Sequence, residues 1–162
     1  MIRFECDYGE GAAQPVLDLL QSTNLVQTPG YGTDDYCEQA RGLIRTLCDA
    51  PEAGVHFFVG ATQANFTLID AALKPWQGVL CADSGHIHVH ETGAVEATGH
   101  KCLALPGVQG KITAEQIRRA WDEHWASDSH EHTVQPGMVY LSNPTEDGTL
   151  YTKEELTDIS AV

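Results

Sequence analysis

Four short apolar runs limit what this chain can fold into: "VHFFV" (55–59), "GVLCA" (78–82), "CLALP" (102–106) and "MVYLSN" (138–143). Each is strand length, and the stretches between the first and last of them contain helical patterns of roughly 10 to 15 residues. Short apolar strands alternating with helices predict an α/β fold, a mostly parallel sheet flanked by helices on both faces. With 162 residues, the chain is long enough for one hydrophobic core and too short for two full domains.

The helices announce themselves locally. "PVLDLLQSTN" places Val16, Leu17, Leu19 and Leu20 on a short apolar-faced helix, with Pro15 in its first turn. After the glycine-broken loop "TPGYGTDD", Asp35 and Glu38 stand at capping-box spacing. Ala40, Leu43, Ile44 and Leu47 then mark the expected buried stripe. "ATQANFTLIDAAL" reads as a helix with Leu68, Ala71 and Ala72 on its inner side. Thr113 with Gln116, and Thr152 with Glu155, start two further helices at the same capping spacing.

Charge narrows the partners. Nine Lys and Arg face 23 Asp and Glu, a formal net charge of −14, which repels nucleic-acid backbones and anionic membranes. The five cysteines form no C-x-x-C, so neither a disulfide framework nor a thiolate zinc site is expected. Cys81 and Cys102 lie in apolar runs, where a thiol packs as a small hydrophobe. The opening "MIRFECDYGEG" has acids where a signal peptide needs an apolar stretch, and no window approaches the ~18 apolar residues of a membrane span. A cytoplasmic location is the expectation.

Two stretches carry chemistry. In "VHFFVGATQAN" a strand is expected to end at Gly60, with Thr62 at the start of a helix. The unpaired N–H groups and positive dipole end of such a turn bind a phosphate without any lysine or arginine, and Ala61 adds little bulk. A capped helix without ligand fits the same residues. In "GHIHVHETGAVEATGHK", His86, His88 and His90 share one face if the strand alternation persists, with Glu91 beside them. Same-face neighbours on a strand are about 6.6 Å apart and the outer pair about 13 Å, too far to converge on one ion unless the strand bends. A metal-binding module, an ordinary polar strand edge and a wall of a cofactor site all remain open on this stretch.

These motifs, in order along the chain, resemble the threonine aldolases and, more broadly, the aromatic amino acid β-eliminating lyase family of pyridoxal-phosphate enzymes. The resemblance runs through "FECDYGEGAAQPVLDLL", "YGTDDYCEQA", "FFVGATQAN", "GHIHVHETGAVEATGHK" and "HEHTVQPGMVYLSNPTEDGTLY". It implies an aspartate-aminotransferase-like, fold-type-I large domain, present in its N-terminal part only. It divides the chain into an N-terminal arm and short helix over 1–33 and an incomplete cofactor-binding large domain over 34–162.

The resemblance also implies roles. Gly60, Ala61 and Thr62 match the turn that binds the cofactor phosphate, with Ala61 where the family often has glycine. His86 matches the imidazole that stacks on the pyridine ring and takes part in proton transfer, with Glu91 orienting groups beside it. His132 matches a second catalytic histidine near the substrate hydroxyl. Cys6 stands where many members place serine, and Asp7 and Tyr31 are implied pocket or interface residues. The implied reaction is retro-aldol cleavage of a β-hydroxy-α-amino acid to glycine and an aldehyde.

One departure from the family pattern matters most. Lys74, Lys101, Lys111 and Lys153 are the only lysines, and none stands in the family's Schiff-base context. The resemblance therefore implies a chain inactive alone, completed by a C-terminal polypeptide or assembled as a homo-oligomer. The alternatives are a non-catalytic assembly subunit of a split or degenerate lyase, and a metal-binding module built on His86, His88, His90 and His132.

Overall fold

In the computed structural model, which describes Cys6 and residues 8–162, the strand β1 (Gln77–Ala82) is the centre of a three-stranded sheet. It is flanked by β2 (Cys102–Leu105) and β3 (Gln135–Val139), both parallel to it. The chain divides into two compact units, Met1–Phe57 and Phe58–Val162, and the sheet lies wholly in the second. The boundary expected after residue 33 falls inside the first unit.

Successive side chains of β1 go to opposite faces. Val79 and Cys81 join Ile69, Leu73, Ile87, Val95 and Cys102 in one apolar cluster. Leu80 and Ala82 join Ile112 and Ile117 in another. The first cluster is roofed by α3 (Ala61–Ala72) and the four-residue α4 (His86–Val89). The second is covered by α5 (Ala114–Ala126), with Ile159 of α6 (Lys153–Ser160) packed against it. This is the expected α/β layering, with a core on both faces.

Two helix starts follow the sequence rule closely. Thr113 and Gln116, and Thr152 and Glu155, each form a reciprocal capping box at the head of α5 and α6. Behind them, Lys111 is held by Glu155 at 2.9 Å, and the buried Ile112 N–H donates to the Tyr151 hydroxyl at 2.9 Å. The inner side of α3 differs from expectation: Ile69 and Leu73 are buried, while Leu68, Ala71 and Ala72 are exposed.

Strand β3 begins three residues earlier than the apolar run suggests. Pro136 lies inside it, tolerated because β3 is an edge strand and a missing N–H there costs no ladder bond on the open side. Pairing does continue past the strand's end, with Tyr140 N–H donating to Leu80 O at 2.8 Å.

The first unit holds α1 (Gln14–Thr23), with proline in its first turn as expected, and α2 (Asp35–Leu47). The cap of α2 is Asp34, whose carboxylate accepts from Cys37 N–H at 2.9 Å, so Asp35 is the first helical residue and not the cap. The stripe expected to be buried is open: Leu43 is 67% and Leu47 86% exposed. Residues 55–59 form no strand. Within this unit, Arg45 donates to Ala53 O at 3.0 Å and Arg41 to Val55 O at 3.2 Å, while the Arg41 guanidinium lies over the Phe57 ring. Guanidinium groups, not a neighbouring strand, take these carbonyls.

Candidate functional site

At the carboxyl end of β1 the chain passes through Ser84 and Gly85 into α4, and this stretch is helical where the alternation of histidines suggested a strand. Ile87 is buried, and His88, Val89 and His90 are exposed. On a helical turn His88 leaves the face that His86 and His90 share, where their ring centroids lie 5.4 Å apart. His86 alone turns to a buried partner: its Nδ1 lies 2.8 Å from Glu91 Oε1.

The Glu91 side chain has no solvent exposure, whereas that of His86 is 44% exposed. The same Glu91 oxygen accepts from the Asn65 amide nitrogen at 2.6 Å. Asn65 lies on α3, one turn beyond Thr62. A carboxylate only accepts, so His86 in its neutral form carries its proton on Nδ1 and leaves Nε2 as a proton acceptor. The carboxylate thus joins the first turns of α3 to the imidazole of α4.

A second carboxylate fixes α4 from the other side. Glu146 Oε1 accepts from the His86 backbone N–H at 2.8 Å and from the Ser142 hydroxyl at 2.5 Å. Tyr140 lies in the same region. Burial raises its phenol above the ordinary value, hydrogen bonding to Ser142 opposes this, and the negative charges of Glu91 and Glu146 add to the rise. Among the described residues, two buried side-chain oxygens lack any hydrogen-bond partner: Ser84 Oγ and Glu91 Oε2. One precedes His86 and the other follows it. Orphaned buried polar atoms are rare and cluster where a polar ligand belongs.

The helix start expected at the head of α3 is present, although no strand leads into it. Gly60 is its extended N-cap, no side chain caps the first turn, and nothing lies within 4 Å of where a Gly60 Cβ would stand. The first-turn N–H groups of Ala61, Thr62 and Gln63 are therefore presented outward at the positive end of the dipole.

Within the second unit, His132 stands apart from this group. His132 ends a 3-10 turn, His130–His132, that leads into the start of β3 beside Trp76. Because β3 runs parallel to β1, that turn lies at the amino end of the sheet and His86 beyond the carboxyl end. One chain does not bring the two histidines together. Lys101 is likewise at the amino end, its carbonyl accepting from Val79 N–H. Cys6 and Tyr31 are exposed and belong to the first unit; Asp7 lies outside the described residues. Among the described residues, no group of three or more His, Cys, Asp or Glu is placed to hold a metal ion, and no helix is long and apolar enough to cross a membrane.

Sequence reading missed Asn65, Tyr140, Ser142 and Glu146. The "SNPTEDG" loop reads as ordinary turn formers, and only the fold carries Glu146 to the His86 N–H. Asn65 had a faint signal, since it falls one helical turn after Thr62.

Comparisons with known proteins bear on the fold and the family. A solved threonine aldolase structure from Leishmania major superposes with a TM-score of 0.90 at 46% identity, over 96% of this chain and 44% of that one. The architecture is that of the α/β large domain of fold-type-I pyridoxal-phosphate-dependent transferases. Within that class, the family model described as beta-eliminating lyase matches residues 20–162, and the chain belongs to that family. Two proteins named low specificity L-threonine aldolase are similar over 161 residues, 98% of this chain. The one from Pseudomonas aeruginosa is 28% identical and the one from a Pseudomonas species 27%. The chain spans 45% of the length of each.

Proposed function

We propose that this chain supplies the cofactor-phosphate turn and the ring-stacking histidine of a threonine-aldolase-type lyase. The observation that carries the reading is the double hydrogen bond to Glu91 Oε1, which holds the first turns of α3 and the His86 imidazole in one rigid group. The residues fit pyridoxal phosphate. An uncapped helix start with the Thr62 hydroxyl suits a phosphate, a half-exposed flat imidazole suits a pyridine ring, and the orphaned Ser84 and Glu91 oxygens suit a polar ligand.

When bound, the cofactor supplies an electron sink for the carbon–carbon cleavage of a β-hydroxy-α-amino acid. The protein's share is positional. Ala61 and Thr62 hold the phosphate, Glu91 fixes the His86 tautomer, and His86 Nε2 accepts a proton from the substrate side, directly or through water. His132 joins such a site only from a second copy of the chain. The four lysines are placed otherwise: Lys111 is tied to Glu155, Lys74 lies over Trp76, Lys101 flanks the amino end of β2 and Lys153 opens α6. The chain alone is therefore expected to bind the cofactor reversibly without completing the aldol cleavage. The exposed leucines of α1 and of α2 favour an assembled form, whether a homo-oligomer or a complex with a complementing polypeptide.

The test is a titration of the purified chain with pyridoxal phosphate, followed by absorbance and by intact mass after borohydride. Saturable binding that weakens in Thr62→Val and in His86→Ala, with no fixed adduct on any lysine, is the expected result. Absence of saturable binding, or binding indifferent to both substitutions, would overturn the reading. A borohydride adduct on Lys101 would overturn the expectation that this chain lacks its own anchoring amine.

A further inference from the structure

At the amino end of the sheet, away from His86, a cavity of about 350 Å³ is lined by Trp76, His124, Trp125, His130 and Glu131, among others. His124 sits in the last turn of α5 and His130 opens the 3-10 turn before β3. Their ring centroids are 5.9 Å apart, and Trp125 packs against both, at 5.0 and 5.2 Å.

The protons of these two rings follow from their partners. His130 Nδ1 lies 3.0 Å from Ser127 O. A carbonyl cannot donate, so Nδ1 of the neutral ring carries the hydrogen and Nε2 a lone pair. His124 Nδ1 lies 3.2 Å from Thr133 Oγ1. That hydroxyl has one hydrogen, which it gives to His130 O at 3.0 Å. It therefore accepts from His124, whose Nε2 is left bare as well. Histidines that ligate metals show this arrangement, one nitrogen donating to an oxygen that fixes the tautomer while the other holds the ion.

We propose that His124 and His130 bind one divalent transition-metal ion through their Nε2 atoms, with water completing the coordination. Two imidazoles sharing one ion at ~2.1 Å have centroids on the order of 5 Å apart, close to the 5.9 Å between these two rings. No three-ligand group is gathered in advance among the described residues, which makes this a two-histidine chelate that recruits its remaining ligands. Imidazole ligation and the usual order of divalent affinities place Cu²⁺ ahead of Ni²⁺ and Zn²⁺. The net charge of −14 raises the local cation concentration. Within one chain the length of the sheet separates this site from His86, and the site shares its 3-10 turn with His132.

The full chain, without a histidine tag, is titrated with Cu²⁺ while tryptophan fluorescence is read. Trp76 and Trp125 line the cavity and Trp121 lies 5.7 Å from Trp125, so quenching should saturate at one equivalent and reverse with excess Zn²⁺. His124→Ala and His130→Ala should each weaken binding by about ten-fold or more, the scale that loss of even a ligand's supporting hydrogen bond reaches, while His88→Ala leaves it unchanged. Non-saturating quenching, or unaltered affinity in the His124→Ala, His130→Ala double variant, would overturn the proposal. Should a variant fail to fold, imidazole ¹⁵N spectra of the unsubstituted protein decide. Metal-free, both rings should show Nδ1–H and a bare Nε2, and Zn²⁺ should shift both Nε2 signals. A hydrogen on either Nε2, or no shift with Zn²⁺, would overturn it.

Discussion

Glu91 holds His86 through one oxygen while its other oxygen, buried beside it, has no partner. That asymmetry makes the pair sensitive to an isosteric change. In Glu91→Gln the amide presents either its oxygen to Nδ1 and the Asn65 amide or, with Asn65 flipped, its nitrogen to Nδ1, so the single Nδ1–H tautomer of His86 should become a mixture. Imidazole ¹⁵N shifts measure this directly, and a wild-type ring already protonated on Nε2 would refute it. Asn65→Leu should be harsher. It strips a buried charge of one donor, and the urea midpoint should fall by an amount equivalent to about 1.5–3 kcal/mol.

Two glycines near the site should respond oppositely to the same methyl group. Gly60 has an extended backbone, φ −169°, and open space around the missing Cβ. Gly60→Ala should fold normally, yet bind pyridoxal phosphate more weakly because the methyl stands at the mouth of α3. At Gly85 a Cβ would meet Ala82 O at 2.9 Å. Gly85→Ala should lower stability by about 1–3 kcal/mol as α4 shifts. Calorimetry alongside cofactor titration separates the two effects.

Thiol labelling should sort the five cysteines. Cys6 and Cys48 are exposed and should react first with iodoacetamide. Cys37 should lag, since its hydrogen bond with Asp34 holds the thiol above its ordinary pKa and thins the reactive thiolate. Cys81 and Cys102 are buried; Cys102 is raised further by its hydrogen bond to Cys81 and by burial. Both should stay unmodified until the protein unfolds, which peptide mapping after timed quenching would show.

The hydrogen bonds from Lys111 and the Thr152 N–H hold the Glu155 carboxyl below its usual value. A depressed folded pKa contributes stability at pH above the unfolded value of about 4.5, and that contribution disappears as pH falls through the folded value. Thermal midpoints measured downward from pH 6 should therefore drop less steeply below pH 4.5 in Glu155→Gln than in the parent. Identical slopes would show that the pair carries no such linkage.

Local chemistry was legible in the sequence; partnership was not. The capping boxes at Thr113 and Thr152 involve residues three apart, and both form. The apolar run of β1 is buried throughout its last five residues, as a strand covered on both faces must be. Residues 55–59 look equally strand-like, but arginines of α2 take the carbonyls at 53 and 55, and no apolar pattern encodes that competition. The His86–Val89 turn is too short for periodicity to declare itself, since Ile87 and Val89 alternate on a strand and also fit one helical turn. The bond from Asn65 to Glu91 spans the rest of α3, β1, α4 and the loops between them. Spacing cannot foresee such a meeting.

The alternation along β1 has an evolutionary consequence. One residue inserted between Gln77 and Ala82 would exchange what Val79 and Leu80 each face, inverting two apolar clusters at once. The α4 turn that carries His86 and the loop that carries Glu146 lie outside that alternation. Selection can therefore lengthen and rewrite the chemistry at the rim while the strand beneath it stays fixed in length, and new specificities in this lineage should arise there first.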